Sequence, residues 1–362
     1  MDPFIAEINL LGTGGGYGES IVIHLGNHEW IVVDSCQDPN TGESLPLVFL
    51  RLRSIDLSQV KLIVCTHWHD DHINGISELL RNCPNATFSF ARANDQKKFL
   101  QFVSLDYEKV KSVASNSATS EFNQCLKLLR EEKRQAKYSS VDRLLYATEF
   151  HELKINVYSL SPSDFSSELF DQEISRLISD FGAPNKKLPK QTPNDRSVVL
   201  LLKLGKHTVL LGADLEVQDN PKLGWLDITR NSQIVKSFPR SGYFKIPHHG
   251  SETGYHEEIW NEILQGKPLS TLTPWNRNKK LPTEKMVNKY KSLTDNLFIT
   301  SPLTVSLKPK RRDRKTMKII KEFNKSIREL KFQYGVISSN VDIKKEHSEW
   351  STSLLGTSSK LN

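Results

Sequence analysis

Residues 67–72 carry a dense group of metal-binding side chains. The segment reads His-Trp-His-Asp-Asp-His, so it holds three of the 11 histidines and two carboxylates within six residues. Neutral imidazole and carboxylate are ligands that borderline divalent metals such as zinc prefer in proteins. These residue types at this spacing therefore predict a divalent-metal site. The alternative is a polar loop in which histidines cluster by accident, and the density of the group argues against it.

The elements around this segment indicate how it is held. The apolar, β-branched run that precedes it predicts a buried strand, and residues 73–81 have apolar side chains at helical spacing. His67 and His69 lie two positions apart, so they point to the same side of an extended loop. Asp71 and His72 follow where the chain begins to coil, which allows them to face a second ion.

The order His-x-His-x-Asp-His after a strand resembles the signature of the metallo-β-lactamase superfamily. Three other segments occur in the order that this superfamily expects. Residues 31–34 and 208–214 are predicted strands that end in an aspartate, and residues 244–251 are a strand that ends in a histidine pair. The resemblance implies an α/β fold, the αββα sandwich of the metallo-β-lactamase type with helical insertions. It spans most of the chain and implies a single domain over residues 1–362.

The resemblance also implies the ligands and the cofactor. Two divalent ions are expected, with zinc as the first choice and manganese as the alternative. The implied ligands are His67 and His69 for the first ion, Asp71, His72 and His249 for the second, and Asp214 as the bridge between them. Asp34 is expected to orient a ligand through hydrogen bonds.

The histidine pair leaves several interpretations open. His249 is favoured as the ligand because Gly250 follows it, as a glycine commonly follows the last histidine of the superfamily. His248 stays open as the alternative ligand or as a contact for the substrate. A pair of core histidines that binds no metal is the alternative to both.

One ligand of the superfamily pattern is replaced. Most two-metal members supply a further histidine to the first ion from the interval between Asp71 and Asp214. The histidines found there, His151 and His207, match no motif, and Asn194 stands at the corresponding place. We therefore expect the first ion to be weakly held, which would favour manganese or a single ion in the absence of substrate.

That replacement points to a subfamily. Asn-x-x-Ser before an apolar strand, Leu-Leu-Gly-Ala-Asp and Lys-x-Pro-His-His-Gly-Ser resemble the metallo-β-lactamase-like domain of bacterial DNA-uptake competence proteins and their free-standing relatives. These relatives imply hydrolysis of phosphodiester bonds in nucleic acid or a nucleotide, by hydroxide that the metal ions generate from water. Asp71 and Asp214 are the expected catalytic residues, because they would position that hydroxide and Asp71 would accept the proton that the water loses.

Several basic residues are candidate contacts for substrate phosphate, and each has a solvated surface cation as its alternative. They are Arg196, Lys245, Arg277 and Lys279. The first rival function is hydrolysis of a carboxylic ester, lactone or thioester on the same metals. The others are a non-catalytic scaffold and an effector subunit that a partner activates. A protein partner or a homodimer is left open.

The composition shows where the basic charge lies in the chain and indicates the cellular compartment. The net charge is +7, and residues 306–362 hold 14 Lys and Arg against 6 Asp and Glu. The basic run 308–315 within this C-terminal segment would contact phosphates or form a solvated face.

Residues 92–150 are polar and predict a helical insertion. The lack of a signal peptide or apolar span, and four cysteines without metal or redox spacing, favour a cytoplasmic protein that enters no membrane.

Overall fold

Two large β-sheets form the centre of the protein in this computed structural model. The structure describes residues 2–14, 18–38, 40–95, 98, 101, 118–180, 193–277, 280–303, 313–322 and 334–361. The strands are β1 Ile5–Gly12, β2 Glu19–Gly26, β3 Glu29–Val33, β4 Val60–Cys65, β5 Thr87–Ala91, β6 Ala136–Ser139, β7 Arg143–Phe150, β8 Leu153–Ser159, β9 Leu200–Leu204, β10 His207–Leu211, β11 Ser241–Lys245, β12 Leu264–Leu272, β13 Leu297–Ile299, β14 Gly335–Asp342, β15 Ser351–Gly356 and β16 Ser359–Lys360.

Each of these two sheets has eight strands within the described ranges. The order in the first sheet is β15-β14-β1-β2-β3-β4-β5-β6, and the order in the second is β16-β13-β12-β11-β10-β9-β8-β7. Strands β3, β4 and β5 are parallel, and so are β10, β11, β12 and β13. Parallel strands end at the same edge of a sheet, so the loops that follow them meet there.

Helices cover the outer faces of both sheets. The helices are α1 Leu45–Leu52, α2 Asp70–Ile73, α3 Ile76–Asn82, α4 Ala118–Glu131, α5 Asp164–Asp180, α6 Gly224–Asn231, α7 Gln233–Ser237, α8 Glu284–Leu293 and α9 Arg314–Glu322. None of the helices in the described part of the chain is long and apolar enough to cross a membrane.

The core has three layers because alternate residues of a strand point to opposite faces. In β3, Ile31 packs between the two sheets, whereas Val32 packs under the helices that cover the first sheet. In β10, Val209 faces the first sheet and Leu210 faces the helices on the far side of the second. Both faces are buried, which explains why these strands are continuous apolar runs. The predicted αββα sandwich is confirmed.

The predicted helical insertion over residues 92–150 is wrong in its C-terminal part. Helix α4 lies in this interval, but β6 and β7 follow it and form the edges of the first and second sheets. The alternating exposure of β7 shows that only one of its faces is buried, so its sequence is too polar to predict a core strand. Residues 102–117 of the predicted insertion lie outside the described residues.

The C-terminal segment is part of both sheets. Strand β14 pairs with β1 along eight residue pairs, β15 pairs with β14, and β16 pairs with β13. This segment also contains the basic helix α9, over Arg314–Glu322. Most of the basic run 308–315 lies outside the described residues, and the boundaries of the single domain stay a prediction.

Candidate metal centre

The histidine-aspartate loop leaves the end of β4 as expected. His69 has an extended backbone with φ −78° and ψ 147°, and α2 begins at the next residue. His67 Nε2 and His69 Nδ1 lie 3.1 Å apart, so the two imidazoles share one side of the loop. Gly75, at φ 82°, separates α2 from α3. Asp71 lies in α2, after the change from extended loop to helix.

Four buried side chains converge where loops of the two sheets meet. Ligand atoms of Asp71, His72, Asp214 and His249 all lie within 4.8 Å of one another. His72 Nε2 is 3.5 Å from Asp71 Oδ2 and 3.5 Å from Asp214 Oδ1. His249 Nε2 is 3.2 Å from Asp71 Oδ2 and 3.5 Å from Asp214 Oδ2. This four-residue group contains the residues expected for the second ion together with the expected bridge.

Hydrogen bonds on the far side of each imidazole aim Nε2 at the group. His72 Nδ1 lies 2.8 Å from Asp34 Oδ2, and His249 Nδ1 lies 3.1 Å from the carbonyl oxygen of Thr273. Because a carbonyl oxygen only accepts, Nδ1 of His249 carries a proton, and Nε2 is the atom that faces the carboxylates and would bind a cation. Asp34 also accepts hydrogen bonds from the backbone N–H and the hydroxyl of Thr66, at 2.7 and 2.6 Å.

The electrostatics of the group show that it attracts positive charge. Burial lowers the pKa of His72, but the carboxylates of Asp214 and Asp71 outweigh burial and hold that pKa well above its ordinary value. Burial raises the pKa of Asp214, whereas the imidazoles of His249 and His72 hold it well below its usual range. Two buried carboxylates therefore need cationic partners, which protons on the histidines or a metal ion supply.

Unsatisfied atoms test whether a divalent ion fits. His72 Nε2 and Asp214 Oδ1 are buried, face each other and have no hydrogen-bond partner. A buried polar atom without a partner costs about 1–3 kcal/mol. Two carboxylates and two imidazoles whose Nε2 atoms face them form a donor set that suits a divalent transition metal. The residues of this group therefore fit a metal ion.

The side chains expected around the first ion are less complete. Burial lowers the pKa values of His67 and His69, which keeps both imidazoles neutral and able to act as ligands. Among the residues that the structure describes, no group of three candidate ligands includes His69. Asn194 donates to Glu216 Oε1 at 2.9 Å and lies 3.2 Å from His248 Nε2, and its buried Oδ1 has no partner.

The backbone conformation of residues 248 and 249 directs the two imidazoles to different places. Both residues have left-handed φ values, 46° and 52°, and their ring centroids are 6.3 Å apart. His249 lies in the four-residue group, whereas His248 Nδ1 is 3.1 Å from Glu216 and 3.0 Å from the hydroxyl of Ser251. The geometry thus places His249 as the ligand candidate and His248 at the side of the cavity.

An open cavity of about 430 Å³ lies in front of the group. Its lining includes His69, Asp71, Asp214, His249, Trp275 and Arg277. The Trp275 ring packs 5.5 Å from the His249 ring, and the Arg277 guanidinium lies 5.8 Å from the centre of the Trp275 ring. Trp275 carries no ligand pattern in the sequence, and only the structure shows that it packs against His249.

Two of the predicted phosphate contacts need correction. Lys245 is fully buried and pairs with Glu19, so it faces the protein interior and not the cavity. Arg196 is buried with its guanidinium 3.4 Å from the centre of the Phe170 ring, and it donates to the carbonyl oxygen of Arg92. Arg277 does line the cavity. Lys279 lies outside the described residues.

Sequence reasoning missed the side chains that hold the ligands in place. Thr66, Thr273 and Glu216 carry no ligand pattern, and only their contacts in the structure reveal them. Glu19 follows the glycine-rich turn of residues 12–18, and an acidic side chain at the start of an apolar strand was the available sign.

Comparisons with known proteins agree with this architecture. The model of the family described as the metallo-beta-lactamase superfamily matches residues 13–96, which include the histidine-aspartate loop. A comparison with curated proteins gave no match.

A search of solved structures matched the metallo-beta-lactamase fold protein YhfI from Bacillus subtilis, with a TM-score of 0.39 and 10% identity over 82% of this chain and 95% of that one. Human tRNase Z, short form, has a TM-score of 0.36 and 9% identity over 80% of this chain and 90% of that one. The metallo-beta-lactamase from Pontibacter korlensis has a TM-score of 0.28 and 13% identity over 63% of this chain and 77% of that one. The similarity to the metallo-β-lactamase superfamily rests on the match over residues 13–96, which hold the histidine-aspartate loop, and the two-sheet sandwich agrees with it.

Proposed function

We propose that this protein is a metal-dependent hydrolase that cleaves phosphodiester bonds in nucleic acid or a nucleotide. The observation that carries the proposal is the buried group of Asp71, His72, Asp214 and His249 at the base of an open, mainly polar cavity. A divalent ion bound by these residues would supply Lewis acidity and a water molecule acidic enough to ionise near neutral pH.

The side chains of this protein would orient the reactants. Asp71 and Asp214 present carboxylate oxygens to the cavity, where they would accept hydrogen bonds from the attacking water and fix its direction. Asp71 would also accept the proton that the water loses. His248 and Asn194 line the same cavity through polar atoms and would contact the substrate beside the reacting group.

The character of the cavity favours a charged substrate over a neutral ester. Trp275 and Leu281 are apolar lining residues, but the wall around them consists of imidazole, carboxylate, amide and guanidinium groups. A phosphodiester brings a negative charge that Arg277 and a bound cation would neutralise. A lactone or thioester brings an apolar chain that such a wall accommodates less well. We therefore rank ester hydrolysis second.

The test is hydrolysis of bis-p-nitrophenyl phosphate and of labelled single-stranded and double-stranded DNA and RNA by the purified full chain. Each substrate is offered with zinc, with manganese and after removal of metal. Asp214→Asn removes one ligand charge, and His28→Ala serves as the control because His28 is exposed in the turn between β2 and β3, far from the four-residue group.

We expect metal-dependent cleavage by the wild type and by His28→Ala, and its loss in Asp214→Asn. If metal binds but no phosphodiester is cleaved, the proposal fails. Panels of lactone and thioester substrates then test the rival, and silence on all of them would favour a partner-activated or non-catalytic role. The resemblance to competence proteins, a nucleic-acid or protein partner, a homodimer and a cytoplasmic location stay predictions.

A further inference from the structure

A buried ion pair lies directly behind the candidate metal centre. Lys245 ends β11 of the second sheet, and Glu19 begins β2 of the first, so their contact joins the two sheets. The side chains are 0% and 2% exposed. Removing two charges from water is expensive, and a buried ion pair is often no more stabilising than apolar residues of the same volume. Its presence calls for a role other than stability.

The Lys245 end of the pair contacts the loop that carries Asp214. The Lys245 ammonium donates to the carbonyl oxygen of Ala213 at 3.0 Å and lies 3.8 Å from Asp214 Oδ1. Ala213 has a φ of 45°, a left-handed conformation that a residue with a β-carbon rarely adopts. The ammonium therefore holds the peptide group just before Asp214 in a turn that the backbone would not choose by itself.

The Glu19 end controls a second ligand. The Glu19 carboxylate accepts a hydrogen bond from the Thr273 hydroxyl. The carbonyl oxygen of Thr273 accepts the Nδ1 proton of His249 at 3.1 Å. Glu19 thus fixes the residue that sets the tautomer and ring orientation of His249, although it touches neither the cavity nor the four-residue group.

We propose that Glu19 and Lys245 form a positioning unit that sets the metal affinity of the four-residue group by holding Asp214 and His249 in place from opposite sheets. The proposal rests on the metal centre of the proposed function and not on phosphodiester cleavage. Outer hydrogen-bond partners of metal ligands commonly change affinity by about 10- to 100-fold.

The test separates positioning from stability by replacing the pair with apolar residues of similar length. The variants are Glu19→Met, Lys245→Met and the double variant, measured for Zn²⁺ dissociation constant by competition with a chelating indicator and for melting temperature without metal. Each single variant leaves one uncompensated buried charge and is expected to be the least stable. The double variant removes both charges and is expected to recover most of the melting temperature.

The double variant is nevertheless expected to bind Zn²⁺ about 10- to 100-fold more weakly than the wild type. The control is Glu7→Met with Arg53→Met, which removes an ion pair at β1 and the end of α1, away from the centre. It is expected to leave the Zn²⁺ dissociation constant unchanged.

A double variant that binds Zn²⁺ as tightly as the wild type would overturn the proposal and leave the pair a structural feature. If the double variant does not fold, Thr273→Val decides the matter, because it cuts the Glu19 link to Thr273 and retains the ion pair. Unchanged Zn²⁺ affinity in Thr273→Val would then overturn the proposal. A wild type that binds Zn²⁺ but cleaves no phosphodiester would defeat the proposed function alone.

Discussion

At the scale of single residues, Asp34 shows how one side chain selects the nitrogen that a histidine presents to the centre. Its carboxylate only accepts hydrogen bonds when ionised, so the nearby Nδ1 of His72 carries the proton and Nε2 faces Asp71 and Asp214. Thr66 supplies two further hydrogen bonds that keep the carboxylate in this orientation. The ligand atom of His72 is therefore determined by a residue that is not itself in the four-residue group.

Asp34→Asn should weaken metal binding while the fold is retained. An asparagine tolerates the left-handed φ of 60° at this position, so the backbone should not change. Its amide can turn an N–H toward His72 Nδ1, which would move the imidazole proton to Nε2 and block the ligand atom. We expect the Zn²⁺ dissociation constant to rise by about 10- to 100-fold.

A competition titration measures that constant, and circular dichroism checks the fold. Asp56→Asn, at an exposed cap of a short turn, is the control and should bind Zn²⁺ like the wild type. Unchanged affinity in Asp34→Asn would show that the His72 orientation is set by other contacts.

At the scale of elements, the break between α2 and α3 sets the direction of the ligands in α2. Gly75 adopts a φ of 82° and closes α2 after a single turn, so the chain bends before α3 packs on the sheet. A β-carbon at this glycine would lie 3.1 Å from both Cα and Cβ of Ser44. Backbone conformation and lack of space therefore both require glycine here.

Gly75→Ala should cost more stability than Gly42→Ala. Gly42 has a similar φ of 76° but no atom within 4 Å of its would-be β-carbon, so it measures the conformational cost alone. That cost is about 1–2 kcal/mol. Crowding against Ser44 should add about 1 kcal/mol or more at Gly75. Urea unfolding of the two variants measures the difference, and equal costs would show that Ser44 moves aside freely.

The elements also show where sequence reasoning succeeds and where it stops. The run before His67 and the runs ending near Asp214 and Lys245 were predictable as strands because buried parallel strands are continuously apolar. Edge strands β6 and β7 were not, because they bury one face and mix polar with apolar residues.

The candidate site divides in the same way. The residues of the four-residue group were predictable from motif spacing, since their chemistry is local to short segments. The Glu19–Lys245 pair joins residues more than 200 positions apart, and no local pattern relates them. Lys245 was misassigned to the substrate because a cation near a metal motif looks the same in sequence whether it is buried or exposed.

At the scale of the whole molecule, pH should act on stability through a histidine far from the metal ligands. His24 is fully buried in β2, and its Nδ1 donates to the carbonyl oxygen of Ile5 at 2.8 Å. Burial lowers its pKa from 6.5 to about 4. Between these values the unfolded chain binds a proton that the folded protein does not. The contribution of His24 is therefore complete above pH 6.5 and is lost as the pH falls toward 4.

The size of this loss is about 3 kcal/mol at most, from about 1.4 kcal/mol per pH unit. His24→Asn keeps a donor near Ile5 but does not titrate, so its unfolding free energy should fall less steeply between pH 6.5 and 4 than that of the wild type. The control is His347→Asn, at an exposed position near the C-terminus, which should keep the wild-type slope. Urea unfolding across this pH range would contradict the prediction if the wild type and His24→Asn had parallel profiles.

Metal binding should stabilise the entire sandwich, because the four-residue group draws ligands from both sheets. Asp71 and His72 follow β4 of the first sheet, whereas Asp214 and His249 follow β10 and β11 of the second. An ion held by all four ties the sheets together and is released when they separate, so it favours the folded state by mass action. At a free Zn²⁺ concentration 100 times the dissociation constant the gain is about 2.7 kcal/mol.

We therefore expect the melting temperature to fall after chelation and to rise again with added Zn²⁺ in a concentration-dependent way. Asp214→Asn removes a ligand charge from the second sheet, so its melting temperature should respond far less. If Zn²⁺ bound the folded wild type but left its melting temperature unchanged, the ion would bind the unfolded chain equally well, which would contradict the prediction. The reduced response of Asp214→Asn thus tests whether the second sheet supplies a ligand to the ion.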